Sequence, residues 1–356
     1  MDLFGDLPPP STAPALSEDL PPKSESANRK RHLVGDDHGS DPKQPKLEVV
    51  KLQGFLGERK GEREDMQDAH LILDDCTPPS VSNSLPNNIV RVAYYGVFDG
   101  HAGPRASKFV ADHLHKNIMT YLPKGNVQNL DREVKKCLVE SFKKTDDDFL
   151  QKASAASPSW KDGTTVTSLL VLDNTIYSAN VGDSRAVLCR RSEGDKLIFV
   201  GLSKDHGPSN FEERKRIEKA GGVVREGRVM GILEVSRSIG DGRFKGCGVT
   251  CKPDVFRCTI TDKDQFILIG CDGLWKVFTA EDAARFIIEV LQDESIKSPK
   301  DDEKGTNFES GGPKMLKEVR YEEACNRLAV EAVRRGCTDN VTVMIIDILH
   351  PHSKRA

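Results

Sequence analysis

The chain has 356 residues, is 37% apolar and carries 52 Lys and Arg against 55 Asp and Glu. That apolar content suffices for a sizeable core, and the near balance of charge excludes a global basic field that would draw the protein onto nucleic acid or a membrane surface. Nine scattered cysteines without a CxxC pair exclude a disulfide framework and a clustered thiolate zinc site, and they read as reduced thiols of a cytoplasmic or nuclear protein.

The start, Met1-Asp2-Leu3-Phe4, has neither a basic n-region nor a hydrophobic run, so neither secretion nor membrane insertion is expected. Residues 1–48 are rich in proline, serine and charge and hold a single aromatic, Phe4, too little apolar surface to offset the entropy of ordering. This segment reads as a disordered tail. Within it Asp6-Leu7-Pro8-Pro9 recurs as Asp19-Leu20-Pro21-Pro22, either a repeated docking motif or low-complexity drift. The basic cluster Asn28 to His32 is either a nuclear-import signal or a solvated charge run.

Residues 49–350 read as one folded domain, and 351–356 as a C-terminal tail. Runs rich in β-branched residues predict strands at 71–73, 90–98, 166–172, 176–180, 186–189, 266–271 and 341–349. Helical spacing follows Gly103-Pro104 through Phe109, Val110, Leu114, Ile118 and Leu122, and further helices are expected at 132–152, 280–292 and 320–335. Ser209 with Glu212 suggests a capping box opening a helix that Gly221-Gly222 closes. Polar insertions at 76–88 and 297–315 read as surface loops. Many strands with few βαβ alternations predict an α+β architecture with largely antiparallel sheets.

Two apolar runs end in Asp-Gly, at Val97-Phe98-Asp99-Gly100-His101 and at Cys271-Asp272-Gly273-Leu274-Trp275. Strand-end carboxylates repel one another unless a cation lies between them, and an oxygen-donor set suits Mg2+ or Mn2+, which fits metal-assisted hydrolysis. Asp68, Asp99, Asp183, Asp241, Asp272 and Asp339 all stand at predicted strand ends or turns; each alone is compatible with ordinary turn chemistry, and Asp162-Gly163 reads as a turn. Arg63 and His101 lie close to two of these acids in sequence. A guanidinium matches a phosphate dianion, and an imidazole can give a proton to a departing alkoxide near neutral pH.

The combination GEREDMQDAH, VFDGHAG, DGTT, NVGDSRAVL, LEVSRSIGD, CDGLW and TDNVTV, in order over residues 54–349, resembles the metal-dependent protein phosphatases of type 2C. The resemblance implies a sandwich of two antiparallel sheets flanked by helices, and hydrolysis of phosphoserine and phosphothreonine by a water bridging two Mg2+ or Mn2+ ions. It implies Asp99, the Gly100 carbonyl, Asp272 and Asp339 as metal ligands, and Asp68 behind them. It further implies Arg63 as the phosphate holder and His101 as the general acid. The opening MDLFGDLPPP and the segments RASKF, SRSIGDGRFK and YEEACNRLA are similar to a subgroup that associates with integrin-linked kinase. This implies that kinase as a partner whose signalling is restrained, beside phosphoprotein substrates and a monomeric catalytic domain.

Two positions depart from the family pattern. Gln67 stands where a Glu is common, and Lys276 stands where many relatives carry an Asp that helps Asp183 and Asp272 form a third, weaker metal site. The resemblance therefore leaves a second reading, a pseudophosphatase scaffold that keeps the fold for binding. A two-metal nuclease is disfavoured by balanced charge and the absence of an aromatic-basic stripe.

Overall fold

The computed structural model describes residues 48–78, 85–194, 196–297 and 315–350. The proline-rich tail with its repeat and basic cluster, the C-terminal residues 351–356, residues 79–84 of the first polar insertion and 298–314 of the second lie outside the described residues. Strands β1 (Lys51–Arg59), β2 (Ala69–Leu73), β3 (Val92–Phe98) and β4 (Gly100–His101) precede helices α1 (Arg105–Tyr121) and α2 (Leu130–Ala155). Strands β5 (Gly163–Thr164), β6 (Val166–Leu172), β7 (Thr175–Val181), β8 (Arg185–Arg191) and β9 (Leu197–Gly201) follow. A flap then holds α3 (Phe211–Lys219), β10 (Val224–Arg225), β11 (Arg228–Val229), β12 (Ile239–Gly240) and α4 (Gly242–Lys245). The chain closes with β13 (Asp254–Thr259), β14 (Asp264–Gly270), α5 (Asp272–Trp275), α6 (Ala280–Leu291), α7 (Leu316–Arg334) and β15 (Val341–Leu349).

Two five-stranded antiparallel sheets, ordered β1-β15-β14-β8-β9 and β13-β7-β6-β3-β2, pack face to face. The central strands are apolar on both faces because each face meets another layer. In β3, Ala93, Tyr95 and Val97 enter the inter-sheet core with Leu169, Ile267, Ile269 and Met344, while Tyr94 and Phe98 face Val110, Leu114 and Ile118 of α1 and Leu138 and Phe142 of α2. On the other side, Val343 and Ile345 of β15 pack with Ile287 of α6 and Leu328 of α7. Each such aliphatic or aromatic side chain contributes roughly 1.5–3 kcal/mol by leaving water, so the four layers form one continuous support. Among the described residues no helix is long and apolar enough to cross a membrane.

The helices start where local chemistry stops the strands. Asn129 accepts from the Arg132 amide at the head of α2, and Thr279 caps α6 through the Asp282 amide. The Ser209–Glu212 box does not form: Asn210 precedes α3 and its amide side chain instead donates to the Asp205 carbonyl. Strands β1, β9 and β13 do not read as alternating runs: each lies at a sheet edge, β9 and β13 are partly exposed, and β1 is half-buried along most of its length.

Candidate active site

The sheet edges bring the acidic motifs together. Asp99 follows β3, Asp272 opens α5 directly after β14, Asp339 stands just before β15, and Asp183 lies in the β7–β8 turn. With Arg63 and His101 they line one cleft of about 280 Å³. Asp68 sits behind it, buried, and accepts a hydrogen bond from Thr342 Oγ1 at 2.7 Å. β3 and β14 belong to different sheets, so no sequence distance encodes the meeting of Asp99 with Asp272.

The polar residues of the motifs fix the backbone that carries these acids. The Asp99 carbonyl accepts from the Thr165 amide at 2.9 Å and from Thr164 Oγ1 at 3.0 Å, and the Thr165 hydroxyl meets Ser184 Oγ at 2.9 Å beside Asp183. Asn340 pins the loop of Arg63: its Nδ2 donates to the Lys60 and Asp65 carbonyls, and its Oδ1 accepts from the Gln67 amide. Gly273 lets α5 approach the start of β15, where a Cβ would stand 2.1 Å from the Asn340 carbonyl oxygen. Gly163 is required for a similar reason, since a Cβ there would fall 2.1 Å from Asp241 Oδ2 and 2.4 Å from His101 Nε2.

The acids crowd one another at the cleft. Burial pushes the Asp99 carboxyl well above the ordinary carboxylate range, and Asp68, Asp272, Asp183 and Asp339 push it further. Burial also raises Asp68 to about 7, against the hydrogen bonds from Thr342 and Cys271, and raises Asp183 to about 7 with Asp272 adding to the effect. The Cys271 thiol lies within ligand distance of Asp99 and Asp272, but burial and the neighbouring carboxylates hold it protonated, and it donates to the Asn340 carbonyl. The donor set left is carboxylate oxygen with the Gly100 carbonyl, which fits a hard divalent cation such as Mg2+ or Mn2+.

The two cations at the cleft floor lean on the same acids. Arg63 Nη2 donates to Asp339 Oδ2 at 2.8 Å, with much of its fork still exposed. Lys276 Nζ lies 2.5 Å from Asp272 Oδ2 and 3.3 Å from Asp339 Oδ2. Burial alone would lower the Lys276 ammonium, but Asp272 and Asp339 raise it above the ordinary lysine range. Opposite them, His101 Nε2 meets Asp241 Oδ2 at 2.7 Å, and Ser238 Oγ donates to that same oxygen at 2.7 Å. Desolvation works against the imidazolium, but Asp241 outweighs it and His101 ends above 6.5.

Several residues stand differently from their sequence reading. Asp162 is no turn residue: it is buried, its Oδ1 accepts from Arg105 Nε at 2.8 Å, and its carbonyl accepts from the Asp241 amide at 3.0 Å. The Gln67 side chain accepts from the Gly103 amide at 3.3 Å, tying two loops rather than reaching toward the acids. Asp241 was singled out with no role, and its link to His101 is visible only across 140 residues. Nothing in its local pattern, a residue at φ 52° after a glycine, announces it.

Comparisons with known proteins define the class. The family model for Protein phosphatase 2C matches residues 53–341, and this chain belongs to that family. Among individual relatives, it is 47% identical to the integrin-linked kinase-associated serine/threonine phosphatase 2C of Bos taurus over 98% of this chain and 100% of that one, and to the Homo sapiens protein of the same description at the same identity and coverage. It is 35% identical to an Arabidopsis thaliana probable protein phosphatase 2C over 83% of this chain and 78% of the relative. Of solved structures, a C. elegans sex determining protein superposes with a TM-score of 0.66 at 22% identity, covering 85% of this chain and 65% of that one. A serine-threonine phosphatase 2C from Toxoplasma gondii gives 0.64 at 18%, covering 84% and 95%. These two likenesses bear on the fold, the α-β-β-α sandwich.

Proposed function

We propose that the chain is a metal-dependent protein serine/threonine phosphatase acting on phosphoserine and phosphothreonine in protein substrates. The observation that carries this reading is the convergence, in one cleft, of half-buried carboxylates crowded against one another with Arg63 on one side and the His101–Asp241 pair on the other. Asp99, the Gly100 carbonyl, Asp272 and Asp339 would hold two Mg2+ or Mn2+ ions, and Asp68 and Asp183 would support them. Such ions, when bound, supply an activated water and charge stabilisation for in-line displacement at phosphorus.

The rest is the work of this chain's own side chains. The guanidinium of Arg63 holds the phosphate dianion through fork N–H groups that Asp339 does not occupy. With Nε2 of His101 engaged by Asp241, the proton delivered to the departing serine or threonine oxygen sits on Nδ1. Asp241 is a positioning residue: it fixes the ring and keeps it protonated at higher pH. Gln67 holds the loop after His101 through Gly103, and Lys276 partly neutralises Asp272 and Asp339. The names of the 47% identical relatives support integrin-linked kinase as a partner, and restraint of that kinase's signalling is part of this proposal. Reduced thiols and the basic cluster at 28–32 support residence in cytoplasm and nucleus.

The test is phosphate release from a phosphothreonine peptide by the purified chain with Mn2+ or Mg2+, with chelator, and with Asp99→Asn. Metal-dependent release lost in the variant supports the proposal; a folded, metal-supplied chain releasing nothing overturns it in favour of the scaffold reading. His101→Ala is expected to lose about 10²-fold or more in kcat on phosphoserine peptides and much less on an aryl phosphate, whose leaving group needs no proton. Equal losses on both substrates would remove the acid role.

A further inference from the structure

Beyond the acid-lined floor, the cleft has a second electrostatic feature on the flap side. Lys161 and Arg243 both line it and both are exposed. Their positions are tied together: β5 pairs with β12 through Gly163 opposite Gly240, and the Asp241 amide donates to the Asp162 carbonyl at 3.0 Å, so Lys161 and Arg243 flank the same end of this short ladder. β4 pairs with the other side of β5, setting His101 opposite Gly163. The two cations therefore lie on the wall of the cleft that His101 also lines, each two residues from a group that meets His101, Gly163 or Asp241.

Three acids next to them in the chain or on the cleft wall already have partners. Asp162 is taken by Arg105, Asp241 by His101 and Ser238, and Glu234 by Arg228 at 2.5 Å. Among the described residues neither Lys161 nor Arg243 makes an ion pair, whereas Arg63 of the same cleft and Arg105 over Trp160 both do. Their anchors are stiff. Lys161 sits between Trp160, which packs on Phe149 under the Arg105 guanidinium, and the buried Asp162. Arg243 lies over the ring of Phe244, itself part of the flap core.

We infer that Lys161 and Arg243 form an anion subsite beside His101 that receives a second acidic group, carboxylate or phosphate, on the substrate chain close to the phosphoresidue. The inference rests on the phosphatase reading and adds its substrate class: acidic or multiply phosphorylated segments. Two exposed cations on fixed backbone attract such a group by Coulomb interaction that salt screens, so the preference weakens as ionic strength rises.

The experiment uses the full chain with Mn2+ and a phosphothreonine peptide series carrying Ala, Glu, phosphoserine or Lys at the flanking positions. The Glu and phosphoserine peptides are expected to exceed the Ala peptide in kcat/KM, the two arms telling which anion is preferred. In Lys161→Ala/Arg243→Ala that ratio is expected to fall by about three- to tenfold, and in Lys161→Glu/Arg243→Glu to invert toward the Lys peptide. Lys161→Arg should keep the ratio, and matched melting temperatures exclude unfolding as the cause. Binding of the same peptides to the Asp99→Asn chain, read by fluorescence anisotropy, tests the subsite even where no turnover occurs. A ratio and a binding preference that survive both double substitutions overturn the inference while leaving the phosphatase reading standing.

Discussion

In the flap, Glu213 is buried, and burial alone would raise its carboxyl; bonds from Arg237 at 2.6 Å, Ser236 at 2.6 Å and Arg216 at 2.7 Å instead bring it down to about 2. In the cleft, Asp99, Asp68 and Asp183 are desolvated largely beside one another and rise. Carboxyls that burial pushes in the same direction thus titrate oppositely, because one group is surrounded by its own arginines and the others are not. A self-satisfied cluster locks structure: Glu213 ties α3 to the strand-like segment of Arg237, which also holds Asp254. A cluster left short of counter-charge stores repulsion that an arriving cation relieves.

The comparison breaks most sharply at Asp99. Asp99→Asn is expected to abolish phosphate release by more than about 10³-fold, yet to raise the melting temperature of chelator-treated protein by about 2–4 °C, because a desolvated, repelling charge is removed. Calorimetry with and without chelator checks this; a melting temperature that falls in both conditions would mean the cluster is not strained. At Glu213 the sign is reversed. Glu213→Gln leaves Arg237 and Arg216 without their carboxylate and should cost about 3 kcal/mol in urea unfolding, with the flap the first region to exchange amide hydrogens.

The pH dependence sharpens the same contrast. Carboxyls raised in the folded state stabilise it while protonated, so the contribution of Asp68 and Asp183 is complete below 3.8 and disappears as pH rises through about 7. Glu213, held below its unfolded 4.5, stabilises above that value and loses its contribution only as pH falls toward about 2. Chelated protein is therefore expected to lose stability between about pH 4 and 7, and Mn2+ to restore most of it at the upper end. Unfolding curves in both conditions decide; identical slopes with and without Mn2+ would contradict the charge shortage. The smallest effect concerns Lys276, which supplies part of the missing charge at Asp272 and Asp339. Lys276→Met should tighten Mn2+ binding by about threefold in titration calorimetry, and Lys276→Asp by more.

Much of this molecule was legible in the residues themselves. The β-branched runs at 90–98, 166–172 and 341–349 became strands apolar on both faces, and the helical spacing from Phe109 to Leu122 became α1 packed on β3, because burial periodicity is a local property of the chain. The motifs, read by resemblance, likewise picked out the acids, Arg63 and His101 that the cleft gathers. What the chain order could not disclose was every relation spanning the sheets. The pairing of Asp241 with His101, the burial of Asp162 under Arg105, the bond of Gln67 to Gly103 and the adjacency of Lys161 and Arg243 all depend on β4, β5 and β12. Those two-residue strands carry no periodicity and form only when α1, α2 and the flap hold them together. Hydrophobic pattern is written locally, whereas charge balance is a sum over neighbours in space, so the sequence alone determined the layers and tertiary structure alone decided which acids have partners and which await one.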